Sequence, residues 1–534
     1  MVWLLLACTG PTDPDPDSPD EHGAAIECAG EGVDGFDRFS EEDAARGFTE
    51  TIPDLREEFD NPDARFGSGI AAGDIDGDGD IDIIAGRAVL PTMLYLNDGT
   101  GHFSRGDDLP GVPDTTLGDF FGGDGISMQF ALADMDGDGL PELLATGFGF
   151  LAVYPNLGSG DFGTPILAHN DGKLLGMFLG IAVGDMDGDE DLDVSIISNV
   201  GLNFSPGCEG KCESFTWPDL LIENLGDLQF AEATPLYSAP EGSHAMLGVF
   251  TDRDQDGDAD LMVLKDYWGE NAFWRNDGPG EWVDDDAKIG ADFPWSAMGA
   301  DVLDLNGDGW LDYCVTDTGP VRCLLSNDAD TYVEGAASLG LIADSEADTI
   351  GWSIYFSDLD NDGWTDAAYA GAPMGNQQGV VIEEVPDVMF GGQPGGTFTD
   401  VSGVAGFDDQ ADHYGMIQAD LDGDGFLEIV MTGPGKPLRF VDNACNDNHW
   451  LALDFEGPGL NTDGWGATVI VEAGGRRWMQ ELTASPGPGH SPPRVHVGLG
   501  DVDVVDSVEV SWPGGARAAA TDLPTRRLIT LTAD

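Results

Sequence analysis

The sequence has very little positive charge. Its 534 residues include 21 Lys and Arg against 100 Asp and Glu, which gives a formal net charge of −79. Nucleic acid and anionic membrane surfaces are excluded as electrostatic partners, because both would be repelled. Hydrophobic residues nevertheless make up 41% of the chain, which is enough to bury a core, so we predict a folded protein rather than a disordered one.

Long apolar runs are also missing. Residues 2–7 form an apolar run too short to cross a bilayer as a helix, and no other run is long enough. Leu5-Leu6-Ala7-Cys8 resembles the lipobox of bacterial lipoproteins, which implies a signal over 1–8, lipid on Cys8 and a Pro/Asp-rich tether over 9–35. Basic residues do not precede the run, so either translation starts further upstream or the match is chance.

Cysteine is scarce, with seven residues of which six are left beside Cys8. An even number fits disulfides formed in an oxidising compartment. Cys208 and Cys212 share a Pro/Gly loop, and Cys314 and Cys323 lie on two arms of a predicted hairpin. That leaves Cys28 to pair with Cys445. Zinc is the competing use of Cys208 and Cys212, although no nearby Cys or His pair completes a tetrahedral set.

Catalytic motifs are missing as well: the sequence has no HExxH, no Gly-x-Ser-x-Gly and no phosphate-binding loop. His490-Ser491 stands in a Pro/Gly loop, where we expect it to be solvated rather than nucleophilic. Arg105-Gly106-Asp107 spells a tripeptide that integrins bind, but chance is the favoured explanation in a chain so rich in Asp and Gly. We therefore predict that the protein is not an enzyme.

What the sequence does contain is a nine-residue acidic loop, repeated seven times. Oxygen-bearing side chains stand at positions 1, 3, 5 and 9, and Gly stands at position 6 in six copies. The residues at those four positions are Asp74, Asp76, Asp78 and Asp82; Asp134, Asp136, Asp138 and Glu142; Asp185, Asp187, Asp189 and Asp193; Asp252, Asp254, Asp256 and Asp260; Asp304, Asn306, Asp308 and Asp312; Asp358, Asp360, Asp362 and Asp366; and Asp420, Asp422, Asp424 and Glu428.

Several oxygen ligands around a tight turn are what a hard cation needs, and carboxylates crowded together without a cation would repel one another. We predict up to seven Ca²⁺ sites, with Mg²⁺ less favoured because it demands a stricter octahedron. Glu190 replaces the position-6 Gly of the third copy, which makes that turn the least certain. Position 12 is apolar in every copy, so the helix-loop-helix calcium site is excluded.

Each loop leads into a strand, because apolar residues alternate around position 9, as in Ile81-Asp82-Ile83. The loops begin at 74, 134, 185, 252, 304, 358 and 420, and each interval has room for about four short strands. We predict an all-β fold, with a seven-bladed β-propeller over 36–445 and a small all-β domain over 446–534. Phe48–Thr51 resembles Phe398–Ser402 and is predicted to complete the seventh blade, near a Cys28–Cys445 disulfide.

The repeats resemble the FG-GAP or VCBS repeats of integrin α-subunit propellers and secreted bacterial proteins. Phe66-Gly67 and Gly371-Ala372-Pro373 keep fragments of the name-giving motif, and the acidic loops match its calcium site. The strand pattern from Trp450 through Trp512-Pro-Gly-Gly resembles the ASPIC/UnbV domain, which follows such repeats in the family of cartilage acidic protein.

The resemblance implies a calcium-binding, extracytoplasmic protein, either secreted or held at a membrane through a lipid anchor. Our first hypothesis is adhesion or ligand binding without catalysis, with an extracellular protein or glycan as the ligand. The alternative is a lyase or hydrolase that acts on polysaccharide with its site in propeller loops. A purely structural surface protein is the third.

Overall fold

Seven four-stranded antiparallel sheets follow one another in the computed structural model, which describes residues 26, 35–54, 69–87, 90–109, 112, 127–147, 149–170, 177–199, 218–233, 244–266, 271–278, 281–328, 331–342, 349–373, 385–408, 410–484 and 487–533. The strands are, in sheet 1, Ile70–Gly73, Asp82–Arg87, Leu90–Asn97 and Phe103–Arg105; in sheet 2, Ser127–Ala133, Glu142–Gly147, Phe150–Tyr154 and Ile166–Asn170; in sheet 3, Met177–Gly184, Asp193–Asn199, Leu220–Asn224 and Phe230–Glu232; in sheet 4, His244–Thr251, Asp260–Asp266, Ala272–Asn276 and Trp282–Asp284; in sheet 5, Ala300–Leu303, Asp312–Val315, Arg322–Asp328 and Thr331–Glu334; in sheet 6, Thr349–Ser357, Asp366–Pro373, Val388–Gln393 and Thr397–Asp400; and in sheet 7, Met416–Ala419, Glu428–Met431, Arg439–Asn443 and Phe39–Glu41. A two-stranded pair, Val385–Pro386 with Gln410–Ala411, lies beside them. The prediction of an all-β fold is confirmed.

A hydrophobic cluster lies between each sheet and the next. Neighbouring strand residues point to opposite faces, so Ile83 packs toward sheet 7 while Ile84 packs toward sheet 2. Ile417, Val430 and Phe440 of sheet 7 belong to the same cluster as Ile83 of sheet 1. The sheets therefore close into a ring, and contacts between the first strands of neighbouring sheets place those strands at its centre.

The N-terminal segment completes sheet 7, as predicted, but through a different strand. Phe39–Glu41 pairs with the strand Arg439–Asn443, with Phe39 opposite Asn443. The prediction that Phe48–Thr51 supplies this strand is wrong. Phe48 is 1% exposed and packs between sheets 7 and 1, with its ring centroid 4.9 Å from that of Tyr95. Phe48 therefore contributes to the closure of the propeller-like ring of sheets as a core residue between sheets 7 and 1, and it is not part of a strand.

Short helices follow the outer strands of sheets 4 to 7. They are Asp286–Ile289, Ala336–Leu339, Ser402–Ala405 and Asp43–Arg46. Each ends at a glycine in the left-handed conformation, such as Gly47 at φ 110° and Gly340 at φ 86°, where a side chain would be strained. The helix after Phe39–Glu41 thus repeats the pattern of the other sheets. Among the described residues, no helix is long and apolar enough to span a membrane.

The C-terminal part adds two groups of strands that pack face to face. The first contains Arg476–Glu481, Thr468–Ala473, Val504–Ser511 and Arg517–Pro524; the second contains Val495–Gly500, His449–Glu456 and Arg527–Thr532; a short 3₁₀ turn spans Pro513–Gly515. The first group continues sheet 5 into one eight-stranded sheet, where Leu303 lies opposite Gln480. Leu453 and Val508, one from each group, share a cluster with Ala131 and Val194 of sheets 2 and 3. The C-terminal domain and the ring therefore share one continuous core.

The C-terminal domain also sends residues 487–491, here called the central segment, into the middle of the ring. Gly489–His490 pairs in parallel with Ile70 and Ala71 of sheet 1, and the Ile70 amide donates to the Pro488 carbonyl oxygen over 3.0 Å. The Gln418 amide of sheet 7 donates to Ser491 Oγ over 3.0 Å. The channel at the centre of the ring is filled by chain from the other domain.

His490 is consequently fully buried, with 0% exposure, and the expectation of a solvated His490-Ser491 loop is wrong. Its ring centroid lies 5.1 Å from that of Trp465. Burial lowers the pKa of His490 from 6.5 to about 4, because a charged imidazole would lose its hydration there.

We expect His490 to contribute a loss of stability between pH 6.5 and pH 4, measured as the difference between the unsubstituted protein and a variant without this histidine. The unfolded chain binds a proton on this residue below about pH 6.5, whereas the folded chain does so only near pH 4. The contribution of neutral His490 is therefore complete above pH 6.5 and is lost as pH falls, by about 3 kcal/mol. Urea unfolding of His490→Gln should show a smaller loss than the unsubstituted protein, and the exposed control His102→Gln should show the same loss.

Candidate metal sites

All seven acidic loops connect the first and second strands of their sheets. Asp74 follows the strand Ile70–Gly73, for example, and Asp82 begins the next strand. Because this connection is the same in every sheet, the loops lie on one face of the ring. Strands rather than helices flank each loop, as the apolar position 12 predicts.

The position-1 carboxylate shapes the loop. Asp74 Oδ1 accepts hydrogen bonds from the amides of Gly77 at 2.8 Å and Asp78 at 3.1 Å, and Oδ2 accepts one from Gly79 at 3.0 Å. The same three bonds recur at Asp134, Asp185, Asp304 and Asp420. The loops are therefore preformed by the chain itself.

The position-9 carboxylate joins the two ends of the loop through hydrogen bonds to backbone amides. Asp82 Oδ2 accepts from the Ile75 amide over 3.0 Å, and its Oδ1 accepts from the Asn97 amide over 2.8 Å. Burial raises the pKa of Asp82 to about 7, and burial likewise raises the pKa of Glu142 and Asp193 to about 8. Their negative charge is costly inside the protein, and a nearby cation would relieve that cost.

The position-3 carboxylate has an oxygen that accepts no hydrogen bond from the chain in most of the loops. Its Oδ1 is buried without a hydrogen-bond partner in five loops, at Asp76, Asp136, Asp187, Asp254 and Asp422. Carboxylate oxygens of three residues lie within 4.8 Å of one another in several loops, as at Asp74, Asp76 and Asp78. A buried oxygen with nothing to accept from, among other carboxylates, fits the donor set of a hard divalent cation.

Two loops depart from the pattern in sequence. Glu190 takes the left-handed conformation, at φ 71°, that Gly adopts at position 6 elsewhere, and its amide donates to Asp185 Oδ2 over 3.1 Å. The third loop therefore has the same turn despite its substitution. In the fifth loop, Asn306 Nδ2 lies 3.4 Å from Asp312 Oδ1, and Arg477 Nη1 lies 3.5 Å from Asp304 Oδ2. That loop already has a positive charge beside it.

A recurring hydrogen bond also links neighbouring repeats at five places, through asparagines whose role the sequence did not reveal. Asn97 bonds the position-9 Asp82 through its amide, and its Nδ2 donates to the Leu421 carbonyl oxygen of the seventh loop over 2.8 Å. Equivalent side-chain bonds run from Asn156 to Ile75, from Asn224 to Met135, from Asn276 to Met186 and from Asn443 to Leu359. The contact of these asparagines with a neighbouring repeat is not visible in the local sequence, because each partner lies at least 81 residues away.

The C-terminal domain lies over this face of the ring. Thr462 Oγ1 donates to Asp134 Oδ2 over 2.5 Å, and Glu481 Oε1 accepts from the Asp252 amide over 2.7 Å. Together with Arg477 beside Asp304, these contacts fall on the position-1 residues of the second, fourth and fifth loops. The acidic loops therefore form part of the surface that contacts the C-terminal domain.

The disulfide predictions are confirmed in part. Cys314 and Cys323 face each other on neighbouring strands and are bonded, with their Cα atoms 4.1 Å apart. Cys445 is also disulfide-bonded, and Ile26, two residues before Cys28, packs against the hydrophobic cluster that contains Cys445. Its predicted partner Cys28 lies outside the described residues, as do Cys208, Cys212 and the predicted lipid site Cys8.

Side chains suited to acid-base chemistry do gather between sheets 6 and 7. His413 Nδ1 lies 2.6 Å from Asp387 Oδ2, and Arg439 Nη1 lies 3.0 Å from the same oxygen. These three residues are at most 5% exposed, so they lie in the protein interior and not on a surface that a substrate could reach. Arg105 of the Arg-Gly-Asp tripeptide is held by ion pairs with Glu50 and Asp108.

Family models match both parts of the chain. The model described as FG-GAP-like repeat matches residues 74–145, 134–196, 252–315 and 304–369, and the model described as ASPIC and UnbV matches residues 457–534. The chain is an FG-GAP repeat protein with a C-terminal ASPIC/UnbV domain. The FG-GAP matches cover the first six acidic loops, and the ASPIC/UnbV match covers the central segment together with Thr462, Arg477 and Glu481.

Curated relatives include cartilage acidic protein 1 of mouse and of human. Each is 27% identical to this FG-GAP repeat protein over 270 residues, which covers 46% of this chain and 38% of the relative. The match thus spans well under half the length of these relatives.

Solved structures similar to this FG-GAP repeat protein include Saccharomyces cerevisiae Sqt1, with a TM-score of 0.42 and 10% identity over 72% of this chain and 98% of that one. An Agrocybe aegerita lectin that recognises terminal N-acetylglucosamine has a TM-score of 0.35 and 16% identity, covering 77% and 94%. Trypanosoma rangeli sialidase has a TM-score of 0.35 and 12% identity, covering 77% and 59%. At these scores no ligand or activity transfers to this chain.

Proposed function

We propose that this protein is an extracytoplasmic, calcium-binding propeller that serves in adhesion or ligand binding and has no catalytic activity. The observation that carries the calcium assignment is the buried, unpartnered position-3 oxygen found in five of the loops. In the first loop, both oxygens of Asp74 at position 1 and of Asp82 at position 9 accept hydrogen bonds from backbone amides, whereas Oδ1 of Asp76 at position 3 stays available for a ligand outside the chain. When bound, Ca²⁺ would offset the negative charge of the carboxylates in each loop.

The position of the loops supports a structural role for the cation. Thr462, Glu481 and Arg477 of the C-terminal domain contact the loops directly, so this face is engaged within the molecule. A ligand protein or glycan would then bind elsewhere on the ring. The Cys314–Cys323 disulfide supports an oxidising, extracytoplasmic location.

Equilibrium dialysis of the full chain at millimolar Ca²⁺ tests the assignment, since extracellular calcium modules bind at about 10⁻⁴–10⁻³ M. We expect several ions per chain, about one fewer in Asp136→Asn, and no change in Asp107→Asn. Asp107 is exposed and outside every loop, so the control makes the same change of charge. Equal stoichiometry in the two variants, or binding too weak to detect, would contradict the assignment. A binding screen with glycans and proteins tests the adhesive role.

A further inference from the structure

The sixth loop differs from the others in how deeply its carboxylates are buried. Asp358 and Asp360 are each 6% exposed, Asp366 is 1% exposed, and the three offer oxygens within 4.8 Å of one another. In the first loop, by contrast, Asp78 is exposed and Asp74 is half-buried. Across the described loops, the sixth is the one in which positions 1, 3 and 9 are all buried.

A buried oxygen in this loop has no partner in the chain. Asp358 Oδ2 accepts from the Gly363 amide over 2.6 Å, whereas Asp358 Oδ1 has no hydrogen-bond partner. A carboxylate this deeply buried needs a hydrogen-bond donor or a cation to offset its lost hydration. The unpartnered oxygen and the neighbouring carboxylates of Asp360 and Asp366 therefore point to the same ligand, a divalent cation.

What buries the sixth loop is the C-terminal domain, through residues 446–448 and 496–500, here called the cover. Asn446 Nδ2 and Asn448 Nδ2 each donate to the Asp360 carbonyl oxygen over 2.8 Å. His496 Nε2 lies 2.7 Å from Asn361 Oδ1, and the Gly500 amide donates to the Asn361 carbonyl oxygen over 2.8 Å. The cover thus grips the loop at two successive residues.

The cover lies so close to the loop that there is no space for a side chain at Gly498. A Cβ on Gly498 would overlap Asp358 Oδ2 and lie 2.7 Å from Asn361 Cα. On the other side, Asn361 is itself 0% exposed and donates through Nδ2 to the Gly425 carbonyl oxygen of the seventh loop over 3.0 Å. Buried Arg38 interacts electrostatically with Asp360 and Asp424. Asp362 is the one acidic side chain of this loop that reaches solvent.

We propose that the cover locks the cation of the sixth loop in place, so that this ion leaves only when the C-terminal domain lifts from the ring. The inference rests on the proposed calcium function and adds to it one slowly exchanging site that ties the two domains together. A cover that is open between 0.1% and 10% of the time slows exit by about 10- to 1,000-fold relative to the other loops. Release of this ion thereby reports separation of the domains.

The test loads the full chain with ⁴⁵Ca²⁺, adds excess chelator, and measures the radioactivity retained after rapid gel filtration at increasing times. We expect about one ion per chain to be retained after the others have left. Asp366→Asn should retain none, whereas Asp82→Asn, the same change at position 9 of the first loop, should retain it. Gly498→Ala should lose the ion as fast as the rest, and Gly403→Ala, whose added Cβ meets nothing nearer than 3.6 Å, should not.

Each other outcome has a distinct meaning. If ions bind at saturation but all leave together, the locked site is overturned while the calcium function stands. If Asp366→Asn binds as many ions at saturation as the unsubstituted chain, the sixth loop is not a site and the inference also fails. If no ion binds at saturation, the proposed function itself fails. The Asp366 and Asp82 pair decides the question even if Gly498→Ala does not fold.

Discussion

Removal of divalent cations is expected to lower the free energy of unfolding by about 10 kcal/mol. At free Ca²⁺ about tenfold above its dissociation constant, each occupied site contributes roughly 1.4 kcal/mol, and up to seven sites add to this total. The physical cause is the carboxylates within each loop, such as buried Asp82 beside Asp74 and Asp76, which repel one another once the cation is gone. The loss is comparable to the whole stability of an ordinary domain.

Thermal unfolding in excess EDTA, compared with the same buffer containing EDTA already saturated with Ca²⁺, measures this effect. The saturated chelator controls for any direct action of EDTA on the protein. We expect a large fall in the unfolding midpoint with EDTA and full recovery when Ca²⁺ is restored. Superimposable melting curves would show that the loops do not depend on a cation.

Replacement of Gly489 by Ala is expected to destabilise the protein by about 3–5 kcal/mol. An added Cβ at this position would overlap the carbonyl oxygen and carbon of Met416, which belong to the first strand of sheet 7. Backbone atoms of a sheet cannot turn aside as a side chain would. Either the central segment leaves the channel or sheet 7 shifts, and both outcomes expose buried surface.

Urea unfolding at saturating Ca²⁺ measures the loss. Gly163→Ala is the matched control, because its added Cβ would meet no atom nearer than 3.5 Å. We expect that control to lie close to the unsubstituted protein. Equal midpoints for the two variants would mean that the central segment is not held in the channel as described.

Sequence reasoning reached the acidic loops because everything that defines them is local. Asp74 and Asp82 stand within nine residues, and their spacing alone predicts that their oxygens converge. The strand that completes sheet 7 could not be predicted from local sequence. Phe48-Thr matched the outer-strand pattern of Phe398-Thr, yet the strand is Phe39–Glu41, because pairing with Asn443 depends on a partner some 400 residues away that no local pattern encodes.

Contacts between the two domains were beyond prediction for the same reason. Arg477 lies beside Asp304, and Asn361 beside His496, across long stretches of chain. His490 was misplaced because a Pro/Gly-rich loop is normally at the surface. Here the loop fills the central channel, where an empty space between the first strands would cost packing energy.

Strand Phe39–Glu41 gives the ring an unusual order of assembly. During synthesis it emerges long before its partner Arg439–Asn443, and at 5–20 residues per second the wait is roughly 20–80 s. Throughout that time the strand has no neighbour, and the face of sheet 1 that will meet sheet 7 has no cover. The ring therefore closes as a late event, and the nascent chain needs protection from pairing with the wrong edge until its last sheet has been made.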